Sequence, residues 1–160
     1  MAAISGSAQR VEAALAARGM AGRVRVLADS TRSAAEAAAA IGCDIAQIVK
    51  SLVFRGEPSG KAVLVLASGR NRVDESLLAG IVGETVKRAS PDFVRAATGF
   101  AIGGVAPLAH PGPLHAVVDR DLLQLDPLWA AAGTPLAVFR LSARELIELT
   151  GGTVAEIRAG

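Results

Sequence analysis

Tyrosine is missing from this chain of 160 residues, and aromatics reduce to four phenylalanines and one tryptophan. So few rings argue against the stacking platforms that hold single-stranded nucleic acid. Cysteine is almost as rare. Cys43 stands alone, so no internal disulfide can form, which agrees with a reducing compartment. Charge of one sign is also lacking: 17 Lys and Arg against 15 Asp and Glu leave a net charge of +2. That balance excludes a protein that coats nucleic acid through many phosphate contacts, and DNA is not an expected partner. Brief contact with one RNA end is still permitted. No apolar run approaches the ~18–20 residues needed to cross a bilayer. The first ten residues carry neither the basic start nor the apolar stretch of a secretory signal. The expectation is a cytoplasmic protein with no membrane partner.

Several catalytic designs are missing as well. There is no Gly-x-x-x-x-Gly-Lys-Ser/Thr loop for nucleotide phosphates and no Gly-x-Gly-x-x-Gly after a strand. Ala67-Ser68-Gly69 does not complete a nucleophile elbow. His110 and His115 are the only histidines, and with Cys43 far away they offer no zinc-ligand spacing. No metal and no cofactor is expected. Hydrolysis of an ester that is already activated needs none of these devices.

What the chain does contain is one domain's worth of alternating helix and strand signals, read as a single domain over residues 1–160. Val11 and Leu15 mark a first helix ending before Gly19, and Arg23–Ala28 alternates like a strand. Ser33-Ala-Ala-Glu36 is a capping box for a helix that stops at Gly42, and Asp44 caps a short turn. Ser51–Arg55 and Ala62–Ala67, joined by Gly56-Glu-Pro-Ser-Gly60, predict a hairpin. Further helices are predicted over Glu75–Val82, from Ser90-Pro91 to Ala97, and from Ser142 to Leu149. Further strands are predicted at Thr85–Ala89, Leu114–Asp119 and Leu136–Leu141, with a helical turn at Arg120–Leu125 and a short strand or docked end at Thr153–Ile157. A hairpin does not belong in a purely parallel doubly wound sheet. The predicted class is therefore α+β, a mixed, curved sheet flanked by helices.

Three features carry possible chemistry. Lys50 interrupts the apolar run Ile48-Val49-Lys50-Ser51-Leu52-Val53-Phe54, where a buried unpaired charge would be costly. Two placements are open: the ammonium points to solvent, or into a cleft where it meets a carbonyl, a phosphate or a ribose hydroxyl. The second feature is the loop Thr98-Gly99-Phe100-Ala101-Ile102-Gly103-Gly104-Val105-Ala106-Pro107. Adjacent glycines let a backbone approach a ligand, and their N–H groups could form an oxyanion hole; an ordinary surface loop is the alternative. The third is His110, which suits proton transfer if it faces the cleft and is otherwise structural. His115 is expected to pack within its strand.

Taken together these segments resemble the YbaK family, editing domains related to the insertion domain of bacterial prolyl-tRNA synthetases. Val49-Lys50-Ser51-Leu52 resembles the family's lysine segment and the Thr98–Pro107 loop its glycine loop. Ser142-Ala-Arg-Glu-Leu146, with Leu149-Thr-Gly-Gly152 and Ala155-Glu-Ile157, resembles its closing helix and tail. The resemblance implies a barrel-like mixed sheet and a metal-independent deacylase that frees a small mischarged amino acid from the 3′-terminal adenosine of tRNA. It implies the tRNA acceptor end as partner, with an aminoacyl-tRNA synthetase as a second. Lys50, Gly103 and Gly104 take the catalytic positions; Ser51, Phe100, Ile102, Pro107 and His110 take substrate-binding ones. Ala106, Ala109, Ala130–Ala132 and Val138 depart from the cysteine-removing members, which points to a different small amino acid. Two rival functions stay open: a non-catalytic module of the same fold that binds aminoacyl-tRNA or a synthetase, and a hydrolase of another small acyl ester.

Overall fold

The computed structural model describes residues 6–28 and 33–160. Elements start and stop where local chemistry says they should. The first helix, α1 (Gly6–Ala16), turns its apolar stripe Ala8, Val11 and Leu15 fully inward. After β1 (Val24–Val26), helix α2 (Ala34–Ile41) begins as the Ser33 Oγ accepts from the Glu36 N–H at 3.1 Å, and ends at Gly42. Asp44 closes a capping box with Gln47 around the 3-10 turn Ile45–Gln47. That turn delivers the chain into β2 (Ile48–Glu57), the longest strand, which hairpins into β3 (Ala62–Ser68).

Next come α3 (Glu75–Val82), β4 (Thr85–Arg88) and α4 (Pro91–Thr98), then β5 (His115–Asp119) after the glycine-rich loop. A 3-10 turn over Arg120–Gln124 leads to β6 (Leu128–Ala131), β7 (Ala137–Leu141), α5 (Ala143–Thr150) and β8 (Thr153–Ala155). The strand order is β1-β7-β6-β2-β3-β5-β8, with β4 beside β2. Pairings β2–β6, β3–β5 and β5–β8 are parallel and the other four antiparallel, so the sheet is mixed as expected. It is not a closed barrel, because β1 and β8 stand at opposite ends of the path.

Both faces of the central strands are covered, which explains why Val63–Ala67 reads as continuous apolar sequence rather than an alternating one. On one face Val49, Val53, Leu64, Leu66 and Val118 pack with α1, α4, the loop residues Phe100, Val105 and Ala106, and Leu146 and Leu149 of α5. On the other, Phe54, Val63, Val65 and Val117 meet Leu78 of α3, Val86 and Ile157. Each fully buried Leu or Phe contributes about 1.5–3 kcal/mol. Two expectations shift. The sequence showed no strand at Leu128–Ala131, because those residues are apolar on both sides and carry no alternation. His115 is exposed at the start of β5 rather than packed.

One pairing fastens the ends of the chain together. Glu145, in the capping box of α5, receives two hydrogen bonds from Arg23, at 2.8 and 3.0 Å. The Arg23 guanidinium is the main reason its carboxyl titrates below the usual range. A depressed carboxylate pKa stabilises the fold above the unfolded pKa, and that contribution fades as pH falls through the folded one. Glu145→Gln should therefore cost about 1 kcal/mol at pH 7. The gap to the unaltered protein should narrow as pH drops below ~4, as urea unfolding at a series of pH values would show.

Candidate functional site

The site arises from a split along one edge of β2. On that edge β6 pairs with Ile48 and Val49 only, and β4 pairs with Phe54–Glu57. Between them a cleft of 360 Å³ opens, lined by Lys50, Ser51, Leu52, Arg88, Ile102, Gly103, Val105, Trp129 and Ala130 together with residues of α2 and Val138. Its walls are mostly apolar. Among the described residues the lining contains no carboxylate, histidine or cysteine; its polar side chains are Ser33, Lys50, Ser51 and Arg88.

Lys50 is partly buried, and its ammonium donates a hydrogen bond to the Asn71 carbonyl. Burial is the largest influence on its titration, pushing its pKa below the ordinary lysine range. The positive charges of Arg88 and Arg72 push the same way, against the pull of Asp119. Asn71 is itself pinned. Its Nδ2 donates at 2.8 Å both to Asp119 Oδ2 and to Asp121 Oδ2. The Asp119 carboxylate, 1% exposed, also accepts from the Ser68 N–H and the Asp121 N–H, each at 3.0 Å. A buried carboxylate thus holds the loop whose backbone holds the lysine.

The glycine loop is built in layers. Thr98, fully buried, accepts from the Phe100 N–H at 3.1 Å and donates to the Val94 carbonyl at 2.8 Å. Phe100 lies in the core beneath the Arg10 guanidinium and meets the His110 ring edge-on. Gly103, at φ 94°, turns the chain into the cleft, and Ile102 stands 57% exposed beside it. Gly104 does another job: its N–H closes a turn onto the Ala101 carbonyl at 3.0 Å. A Cβ there would come within 2.7 Å of Thr134 Cα and 2.9 Å of the Gly133 carbonyl carbon. Backbone cannot yield as a side-chain tip can. Gly104→Ala should lift the loop off Gly133-Thr134 and cost about 1–3 kcal/mol, measurable by thermal unfolding.

Lys50, Ser51, Ile102 and Gly103 therefore share one cleft, whereas Phe100, Gly104, Pro107 and His110 lie outside its lining. Pro107 and His110 border a separate hollow of 260 Å³ with Arg18 and Leu149. The His110 Nε2–H donates to the Ala106 carbonyl at 2.7 Å, and burial lowers its pKa, which keeps the ring neutral. Arg88, Trp129, Asn71 and Asp119 were not singled out by sequence. Asp119 left a faint signal, a carboxylate closing an apolar strand. Arg88 left none among the other basic residues.

The sequence profile of a family described as "Aminoacyl-tRNA editing domain" matches residues 28–149. YwhH, an uncharacterized protein of Bacillus subtilis (strain 168), is 32% identical over 123 residues, which is 76% of either chain. A crystal structure of a protein proposed as a trans-editing enzyme for prolyl tRNA synthetase superimposes with a TM-score of 0.92 at 50% identity, over 99% of this chain and 100% of that one. The crystal structure of the hypothetical protein APE2540 gives a TM-score of 0.86 at 34% identity, over 94% of this chain and 99% of that one.

Proposed function

The chain belongs to the aminoacyl-tRNA editing domain family, and from that premise we propose that it is a trans-acting deacylase. Its reaction is hydrolysis of the ester between a small, wrongly attached amino acid and the 3′-terminal adenosine of tRNA. The observation that carries this reading is the cleft itself: a partly buried lysine tethered by a buried polar network and a glycine turn lining the same largely apolar cleft.

An aminoacyl ester is already activated, so positioning and charge stabilisation can supply most of the acceleration. Attack on the carbonyl places negative charge on its oxygen. The Lys50 ammonium and the Gly103 amide stabilise that charge as it develops. The described lining holds no side chain suited to act as a base. The nucleophilic chemistry is assigned to water, assisted by the substrate's own 2′-hydroxyl. Arg88 at the rim offers its guanidinium to the phosphates of the acceptor end. Phe100, Gly104, Pro107 and His110 serve by holding the loop in place.

Selection follows size. A methylene changes binding in an apolar pocket by only ~1–3 kcal/mol, which leaves a synthetase in need of a second sieve. Trp129, Val138 and the alanines at 34, 37, 130 and 131 form the apolar part of the wall, which offers a polar side chain no charged partner of its own. The partners in this reading are a mischarged tRNA and its synthetase, with prolyl-tRNA synthetase the first to try given the structural relative, in the cytoplasm where both work.

The test is release of amino acid from tRNAs mischarged with Ala, Ser, Thr or Cys. Selective release of one or two small residues is expected. Binding of all four without release would replace the enzyme by a binding module of the same fold.

A further inference from the structure

Among the described residues, one hydrogen-bonding position on the outer edge of β2 is left unfilled. The Ile48 carbonyl accepts from Gly69, on the β3 side, whereas the Val53 carbonyl accepts from Ala89, on the β4 side. Backbone groups alternate along a strand, so odd-numbered residues of β2 present their N–H and C=O outward. Val49 is covered there by β6, and Val53 is met by Ala89. Ser51 lies between them, and neither flanking strand reaches it. Its side chain adds a second observation. Ser51 Oγ is the one buried side-chain polar atom without a hydrogen-bond partner among the described residues. Buried polar groups are nearly always paired, and Ser51 lines the cleft.

We propose that the aminoacyl group of the substrate occupies this gap as a strand one residue long. In a hydrogen-bonded antiparallel pair two residues exchange two N–H···O bonds. An aminoacyl ester is a single residue with the same donor and acceptor at the same spacing. Its α-amine donates to the Ser51 carbonyl, and its own carbonyl accepts from the Ser51 N–H. A further ammonium proton is met by Ser51 Oγ after rotation about χ1. Adding a strand to an open sheet edge is an established way to recognise peptide groups, here shortened to its smallest unit. The Ser51 N–H holds the carbonyl before reaction; Lys50 and Gly103 act on the charge that forms during it.

The inference rests on the editing reading and sharpens its substrate class. The ester must carry one residue with a free α-amine. An N-acyl group or a second residue would run into Ala89 and the flanking strands, so peptidyl and N-acylated esters are refused.

The experiment compares tRNA 3′-esters of alanine, propionate and N-acetylalanine, each scored as acceleration over its own uncatalysed hydrolysis. Propionyl and N-acetylalanyl esters should be accelerated roughly 10–100-fold less than alanyl, the scale of one or two lost hydrogen bonds to a charged group. Equal acceleration of all three overturns the pairing and leaves editing standing. No acceleration of any overturns editing. The pairing is then judged on 3′-alanylamido-3′-deoxyadenosine, which cannot be hydrolysed, by following backbone amides. A shifted and exchange-protected Ser51 N–H supports it; a bound analogue with Ser51 unchanged, or no binding at all, overturns it.

Discussion

Replacing Lys50 by methionine is expected to lower the deacylation rate by about 10²–10³-fold, the usual cost of removing one group that stabilises an oxyanion. Thermal stability should change little, relief of the partly buried charge being offset by the Asn71 carbonyl left without its donor. The two expectations share a cause. Folding moves the ammonium from water into a cleft beside Arg88 and Arg72, and its pKa falls below the ordinary lysine range. With the folded pKa below the unfolded one, the charged form destabilises the fold at pH values below both, and the cost fades as pH rises through the folded pKa. Methionine keeps the stem and removes the charge, so any gain in stability belongs to neutral pH and shrinks toward the alkaline range. Multiple-turnover kinetics and melting curves on the same preparations decide the matter. A variant that keeps full activity removes Lys50 from the chemistry. Lost activity with a large fall in melting temperature would make the lysine structural. The loss is expected mainly in kcat, because in the proposed mechanism the ammonium acts on charge that appears during the reaction.

Asp119→Ala should strongly destabilise the fold, costing about 3–5 kcal/mol. The carboxylate is buried and accepts from the Ser68 N–H, the Asp121 N–H and Asn71 Nδ2. Alanine leaves three donors facing a void, and each buried unpaired group costs about 1–3 kcal/mol. A fall of roughly 10 °C in melting temperature is expected for a domain of this size. Asp119→Asn keeps the shape but presents an N–H where only acceptors belong, so it should destabilise less and still loosen Asn71. Because the Asn71 carbonyl receives the Lys50 ammonium, that milder variant should also lose activity while it stays folded. Wild-type turnover in a folded Asp119→Asn protein would show that the network supports the fold alone.

Local devices were open to reading in advance because they obey neighbouring residues. The N-caps at Ser33, Asp44 and Ser142, the proline start at Pro91 and the glycine stops at Gly42 and Gly99 each depend on a backbone group a few positions away. Lys50 stood out for the same kind of reason, a charge inside an apolar run. The loop's part was visible but its division of labour was not. Gly103 and Gly104 look alike in sequence, yet one enters the cleft and the other lies against Gly133-Thr134. For His110 the sequence left proton transfer and a structural place both open; its ring donates to the Ala106 carbonyl outside the cleft lining.

By itself, then, the sequence determined most of the elements, the mixed α+β class and the family, and it singled out Lys50, since periodicity, caps and motif order are written along the chain. Only the tertiary structure decided where the cleft opens. Its walls come from β2, β4, β6, α2 and the glycine loop, elements that meet through long-range pairing with no local trace. Trp129 and Arg88 reach the cleft from segments far from Lys50 in sequence, Asp119 acts on it only through Asn71, and the opening beside Ser51 exists because β6 ends and β4 begins without meeting. A gap between strands is set by the lengths and registers of its neighbours, and no residue within it announces that it is there.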